Sequence, residues 1–184
     1  MEQVITLAVL AGTSRQERES IKAVRWVAGQ AGQRDDMRVI VVDPVEFTFA
    51  GDGNDATGKD PRYTEIIRQA DAFYIVTPEY NHSFPGSLKR MLDSEYELYR
   101  HKPVALAGCS NGRWGGVRVC EALLPVVHRL GMPAIQAELY FPKVQTLFTE
   151  SGDLLAAHQG YYNRQLTAAL DELQWYATRL RISE

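Results

Sequence analysis

Cysteine is scarce. The 184 residues hold two, Cys109 and Cys120, too few for a disulfide framework, and no Cys or His spacing resembles a zinc site. Both are expected as small, reduced core residues, and no metal site is expected. No Gly-Lys-Ser or Gly-Lys-Thr occurs. The lysine and hydroxyl that a P-loop sets on nucleotide phosphates and magnesium are therefore missing, which argues against a nucleoside triphosphatase. The first strand-to-helix turn carries a single glycine, Gly12, where a dinucleotide fingerprint needs spaced glycines for close approach to a pyrophosphate. No apolar run approaches the roughly 20 residues that span a bilayer, and no basic and apolar leader opens the chain. The expected address is cytoplasmic, with no membrane partner. A net charge of -3 with scattered basic residues offers no face for nucleic acid.

What is present is ordinary in amount and ordered in pattern. Hydrophobic residues at 45% and charged residues at 23% suit one globular domain over 1–184. Val4 to Leu10 reads as a buried strand, followed by a helix carried by Ile21, Val24, Trp26, Val27 and Ala31. Further strands are expected at 38–42, 72–77 and 103–109, with a weaker fifth at Ala134-Ile135-Gln136-Ala137. Helices are expected at about 62–69, after Pro85-Gly86, from Val117 to Leu130, and from Asp153 or His158 through Arg179. The segment from Val45 to Pro61 reads as a long surface loop, and Phe141 to Gly152 as irregular. Strands alternating with helices in single file give an open parallel α/β domain, here a five-stranded sheet in the doubly wound order 2-1-3-4-5. In that order ligands sit beyond the carboxyl ends of the strands, at the switch between strands 1 and 3.

Unusual turns follow strands 1, 3 and 4, and this topology brings all of them to that edge. The first, Gly12-Thr13-Ser14-Arg15-Gln16-Glu17-Arg18-Glu19-Ser20, opens a helix, where free N–H groups and the helix dipole favour an anion. Its hydroxyls (Thr13, Ser14, Ser20) and guanidinium groups (Arg15, Arg18) suit a terminal phosphate. Taken alone, the turn leaves simple helix capping by the hydroxyls equally open. The second, Pro78-Glu79-Tyr80-Asn81-His82-Ser83-Phe84, offers flat side chains and hydrogen-bonding groups for a planar heteroaromatic ring. The third, Ser110-Asn111-Gly112-Arg113-Trp114-Gly115-Gly116, offers backbone N–H donors with glycines that permit close approach.

These residues resemble the NADPH-dependent FMN reductases of the flavodoxin-like superfamily, a family that also includes quinone, azo and chromate reductases. The resemblance rests on Gly12-Thr13-Ser14-Arg15 with Ser20, on Pro78-Glu79-Tyr80-Asn81 running into Pro85-Gly86, Leu88 and Lys89, and on Ser110 with Gly112, Gly115 and Gly116. It implies a flavodoxin-like three-layer sandwich with FMN and NADPH as cofactors. Thr13, Arg15 and Ser20 would bind the FMN phosphate, Pro78, Glu79, Tyr80 and Asn81 would border the isoalloxazine ring, and Ser110 with the glycine-rich turn would hold its pyrimidine side. The full cofactor-binding set is then Gly12, Thr13, Ser14, Arg15, Arg18, Ser20, Pro78, Glu79, Tyr80, Asn81, Ser110, Asn111, Gly112, Gly115 and Gly116. Arg113 and Trp114 are bulkier than the family pattern leads one to expect.

Hydride would pass from NADPH to a small electron acceptor by a ping-pong scheme, with no side chain needed as acid or base. His82 and Cys109 are read as a surface turn residue and a buried structural thiol, and Asp43 as a turn residue. Trp26, Trp175 and Tyr176 are read as core or interface. The apolar and aromatic residues Phe84, Leu92, Tyr96, Leu98 and Tyr99 suggest an interface, and the resemblance implies a homodimer or homotetramer. The alternative is a flavodoxin-type electron carrier with no catalytic turnover, for which the weak charge supplies little steering field. A signalling receiver would need acids at the end of strand 1, where Ala11-Gly12 stand.

Overall fold

A computed structural model describes residues 4–53 and 55–181; the ends of the expected 1–184 domain, 1–3 and 182–184, lie outside the described residues. Its strands are β1 (Ile5–Ala11), β2 (Met37–Val42), β3 (Ala72–Pro78), β4 (Val104–Ser110) and β5 (Leu139–Pro142). They form one parallel sheet in the order β2-β1-β3-β4-β5, as the strand spacing implies. Crossover helices α1 (Ser20–Ala31), α2 (Pro61–Gln69), α3 (Gly86–Asp93) and α4 (Val117–Arg129) alternate with the strands, and α5 (Ala156–Leu180) closes the chain. Right-handed crossovers place helices on both faces, so the middle strands must be apolar on both sides. Six consecutive residues of β3, Ala72 to Thr77, are wholly buried.

The core accordingly divides into two layers. Trp26 and Val27 of α1 pack with Leu166, Leu170 and Leu173 of α5 on one face of the sheet. Tyr63 and Ile67 of α2, Leu88 and Met91 of α3 and Leu123 and Val127 of α4 cover the other. Burying each such side chain contributes about 1.5–3 kcal/mol. Trp26 is core, whereas Trp175 is 48% exposed with the Arg179 guanidinium stacked on it. Leu92 and Tyr99, expected at an interface, lie fully inside the second layer, and Phe84, Tyr96 and Leu98 are half-buried against it.

The fifth strand is displaced from its expected position. Ala134 makes only an isolated bridge to Val104, and the chain then leaves the sheet. The amides of Gln136 and Ala137 donate to the Glu172 carboxylate of α5, each at 3.2 Å. Backbone donors taken by a carboxylate cannot continue a ladder. Pairing resumes five residues beyond Ala134, with Leu139 opposite Ala107, so Phe141 belongs to β5 rather than to the irregular segment.

The long loop after β2 is tied down rather than loose. Asp60 accepts from the amides of Thr48 and Arg62, at 3.1 and 3.0 Å, and so caps α2. Its carboxyl lies far below the usual carboxylate range because the Arg62 side chain donates to it, with the Thr48 and Arg62 amides assisting against its burial. Arg90 of α3 donates to the carbonyls of Ala50, Gly53 and Gly58. Phe47 and Phe49 meet the Tyr63 ring edge-on.

Candidate active site

The turns after β1, β3 and β4 border one cleft of about 310 Å³, which Arg15, Arg18, Ser20, Pro78, Glu79, Tyr80, Ser110 and Asn111 help to line. That volume is at the lower end of small-molecule sites. Gly12, Thr13, Ser14, Asn81, Gly112, Gly115 and Gly116 are not part of the lining, whereas Glu17, Glu19, Cys109 and Val144 are.

The first turn is shaped by side chains. Thr13 is buried, 2% exposed. Its hydroxyl accepts from the Arg15 amide at 3.2 Å and shares a hydrogen bond with the Tyr80 hydroxyl at 3.3 Å. That bond joins the first turn to the second. The Ser14 amide donates to the Ser87 hydroxyl at the start of α3, at 3.3 Å. Glu19 occupies the N-cap of α1, and no side chain caps the helix, so the capping role open to these hydroxyls is not the one they take. Gly12 serves packing: a Cβ there would run into the Thr77 side chain of β3.

Arg18 lines the cleft and is also tied to its neighbours. One arm of its guanidinium donates to the Thr13 carbonyl at 2.9 Å and the other to the Asp43 carboxylate. Asp43 also accepts from the Val45 amide at 3.1 Å. It is therefore the anchor of a buried ion pair rather than a plain turn residue. Glu19 is paired with Lys22 at 2.8 Å. Among the described residues Arg15 has no carboxylate partner, which leaves it as the free cation on the cleft wall.

The second turn is a tight hairpin. Tyr80 and Ser83 exchange backbone bonds of 2.8 and 3.0 Å, and Asn81 and His82 between them both have positive φ, 51° and 65°. That geometry is the one asparagine tolerates best among residues with a Cβ. Asn81 and His82 are exposed at the tip, outside the cleft lining. The Glu79 amide donates to the Cys109 carbonyl at 2.9 Å, which fixes the strand-end wall. One Glu79 carboxylate oxygen lies 3.5 Å from Arg118, and the other is buried without a partner.

The third turn spends its glycines on packing. At Gly115 a Cβ would meet Tyr140 and Pro142, and at Gly116 it would meet the backbone of Gly108 and Cys109. Only Gly112 faces open space. The Ser110 hydroxyl donates to the Gly112 carbonyl at 3.0 Å. Arg113 stacks on Trp114, 4.9 Å from the ring centre, and Trp114 is 55% exposed. Cys109 forms a fully buried part of the floor, where burial pushes its thiol far above the usual range; it is therefore unreactive as a nucleophile at neutral pH. No cluster of metal-ligating side chains occurs among the described residues, and no helix there is long and apolar enough to cross a membrane.

Residues 5–146 match the sequence profile of a family described as NADPH-dependent FMN reductase. A quinone reductase of Pseudomonas putida is 31% identical over 163 residues, 84% of this chain and 87% of that protein. An NAD(P)H-dependent FMN reductase of Pseudomonas aeruginosa is 33% identical over 125 residues, 65% of this chain and 66% of that protein. The flavoenzyme FerB of Paracoccus denitrificans, an NAD(P)H:(acceptor) oxidoreductase, superposes with a TM-score of 0.78 at 20% identity, covering 97% of this chain and all of its own. At that identity the superposition speaks for the fold.

Proposed function

The chain belongs to the NADPH-dependent FMN reductase family, and on that premise we propose that it binds FMN in the cleft between its three turns and passes reducing equivalents from NADPH to a small acceptor. The observation that carries this reading is the meeting of those turns around one cleft with Arg15 as its unpaired cation. Arg15, the Ser20 hydroxyl and the amides at the start of α1 would hold the phosphate, where the helix dipole adds to the guanidinium charge. Pro78, Glu79 and Tyr80 would border the ring on one side and Ser110 with Asn111 on the other. The buried Cys109 and Thr77 behind them keep water from that wall.

When bound, FMN supplies the hydride and electron chemistry between NADPH and the acceptor. The protein's part is to hold, orient and exclude water. No lining side chain is required as a proton donor, and His82 stands outside the cleft lining. Acceptors in keeping with the family are quinones, free flavin, azo compounds and metal oxyanions, exchanged at one open cleft in a ping-pong cycle. A homodimer or homotetramer in the cytoplasm belongs to the same proposal, and light scattering reads the assembly directly.

The test is the visible spectrum of the purified protein after FMN is added and the excess removed by gel filtration, followed by NADPH oxidation with and without a quinone. Retained flavin bands and acceptor-dependent oxidation, with parallel double-reciprocal plots, are expected. A colourless protein without turnover overturns the proposal. Retained flavin without NADPH oxidation favours the electron carrier instead.

A further inference from the structure

The first turn contains a conformation that does not hold itself. Glu17, a residue with a Cβ, sits at φ 52°, in the left-handed region that costs such a residue about 1 kcal/mol or more. The helix that follows begins at an N-cap with no side-chain bond, so the usual lock at that end is missing. Ser14, Arg15, Gln16 and Glu17 are all exposed, and packing does not fix them. What crosses the turn is Arg18. Its guanidinium bridges the Thr13 carbonyl at the start of the turn and the Asp43 carboxylate at the end of β2. The pair is largely buried, with side-chain exposures of 12% and 11%. Asp43 is itself held by the Val45 amide, at 3.1 Å.

We propose that Asp43 and Arg18 form a positioning pair that holds the first turn in its phosphate-receiving shape, and that Arg15 rather than Arg18 meets the phosphate. This rests on the FMN reading above. A guanidinium already matched by a carboxylate presents the pair's zero net charge to an incoming anion, and two of its nitrogens are committed. Arg15 is free of such a match. The pair acts through Thr13, because the same residue whose carbonyl Arg18 grips also receives the Arg15 amide on its hydroxyl and touches Tyr80. Losing the clamp would let the Arg15 backbone drift from its place over the phosphate site, while the ring walls, held by their own strand ends, stay put.

The two roles open to Arg18 make opposite predictions for Asp43→Asn. A phosphate ligand would be released from a competing carboxylate, and FMN would bind more tightly. A clamp would lose its anchor, and FMN would bind more weakly. The full chain, freed of flavin, is titrated with FMN and with riboflavin by quenching of flavin fluorescence. Wild type preferring FMN over riboflavin, and Arg15→Gln abolishing that preference, tests the phosphate site itself; without those results the FMN reading fails, whatever the pair does. Given them, Asp43→Asn and Arg18→Gln each weaken FMN by about tenfold, the loss expected for one charge-assisted bond. Riboflavin affinity stays unchanged, and the double variant is no worse than either single one. A merely structural role would weaken both flavins equally.

Arg18→Lys keeps the charge but not the fork that spans two acceptors, and it is expected to bind FMN as poorly as Arg18→Gln. Tighter or unchanged FMN binding in Asp43→Asn, additive losses in the double variant, or wild-type affinity in Arg18→Lys each overturn the proposal. All affinities are read well below the variants' melting temperatures, because breaking a buried pair also lowers stability. If Asp43→Asn does not fold, the Arg18→Lys and Arg18→Gln comparison decides alone.

Discussion

The first and third turns leave the same edge of the sheet and start helices at the same cleft, yet they are held in opposite ways. The first is spanned by side chains, chiefly Arg18 with Asp43 and Thr13 with Tyr80. The third is held by backbone. Gly115 and Gly116 have φ of 66° and 87° with no room for a Cβ. The Phe141 amide donates to the Gly115 carbonyl at 3.2 Å and the Lys143 amide to the Gly112 carbonyl at 3.0 Å. A turn held by side chains can be retuned by substitution without losing the fold. A turn held by interlocked backbone cannot, and it serves as the fixed wall against which the first one works.

The largest expected effect breaks that wall. A Cβ at Gly116 would lie 2.6 Å from the Cys109 nitrogen and would also demand a positive φ. Gly116→Ala should therefore cost about 3 kcal/mol or more in urea unfolding, combining backbone strain with overpacking. A loss under about 1 kcal/mol would mean the third turn is as adaptable as the first.

A smaller effect tests the support beneath the wall. Tyr162 of α5 stacks on Phe141 of β5 with ring centres 4.9 Å apart and donates to the Tyr140 carbonyl at 3.0 Å. Burial, then the neighbouring Tyr161 and Cys109, push its hydroxyl up to about 12. In the unfolded chain a tyrosine loses its proton at about pH 10. The folded state thus retains a proton that the unfolded state releases, and this contribution, complete below about pH 10, is lost as pH rises toward 12. Urea midpoints at pH 9 and 11 should fall less for Tyr162→Phe than for wild type. Equal falls would remove Tyr162 from the account.

The smallest effect sharpens the contrast within one turn. Trp114 is exposed beside two glycines that are not. Trp114→Ala should change stability by no more than about 0.5 kcal/mol, as exposed positions usually do. A loss of several kcal/mol by thermal or urea melting would show that the turn depends on its exposed ring as well as on its backbone.

Much of this arrangement is legible in the chain. The apolar run of β3, the hydroxyl-rich turn after β1 and the glycines after β4 announce strand, turn and edge, because periodicity and turn chemistry act between near neighbours. The fifth strand misleads for a reason visible only in the fold. Ala134 to Ala137 have strand-like content, but Glu172 captures the amides that would pair. The glycines of the third turn carry a second requirement that the chain does not announce. They read as permitting close approach by a ligand, and the fold adds that Tyr140, Pro142 and the β4 backbone fill the space a Cβ would need at Gly115 and Gly116, though not at Gly112.

By itself, then, the sequence determined the order of strands and helices, the parallel sheet, the edge where the turns gather and the types of side chain they carry. Tertiary structure decided which of those side chains remain free. Arg15 and Arg18 are indistinguishable as guanidinium groups three positions apart and both line the cleft, and only Asp43, brought in from 25 residues away, pairs with one and leaves the other without a carboxylate partner among the described residues. Local pattern follows from interactions over a few residues, whereas charge pairing is settled by which distant carboxylate the fold places within reach.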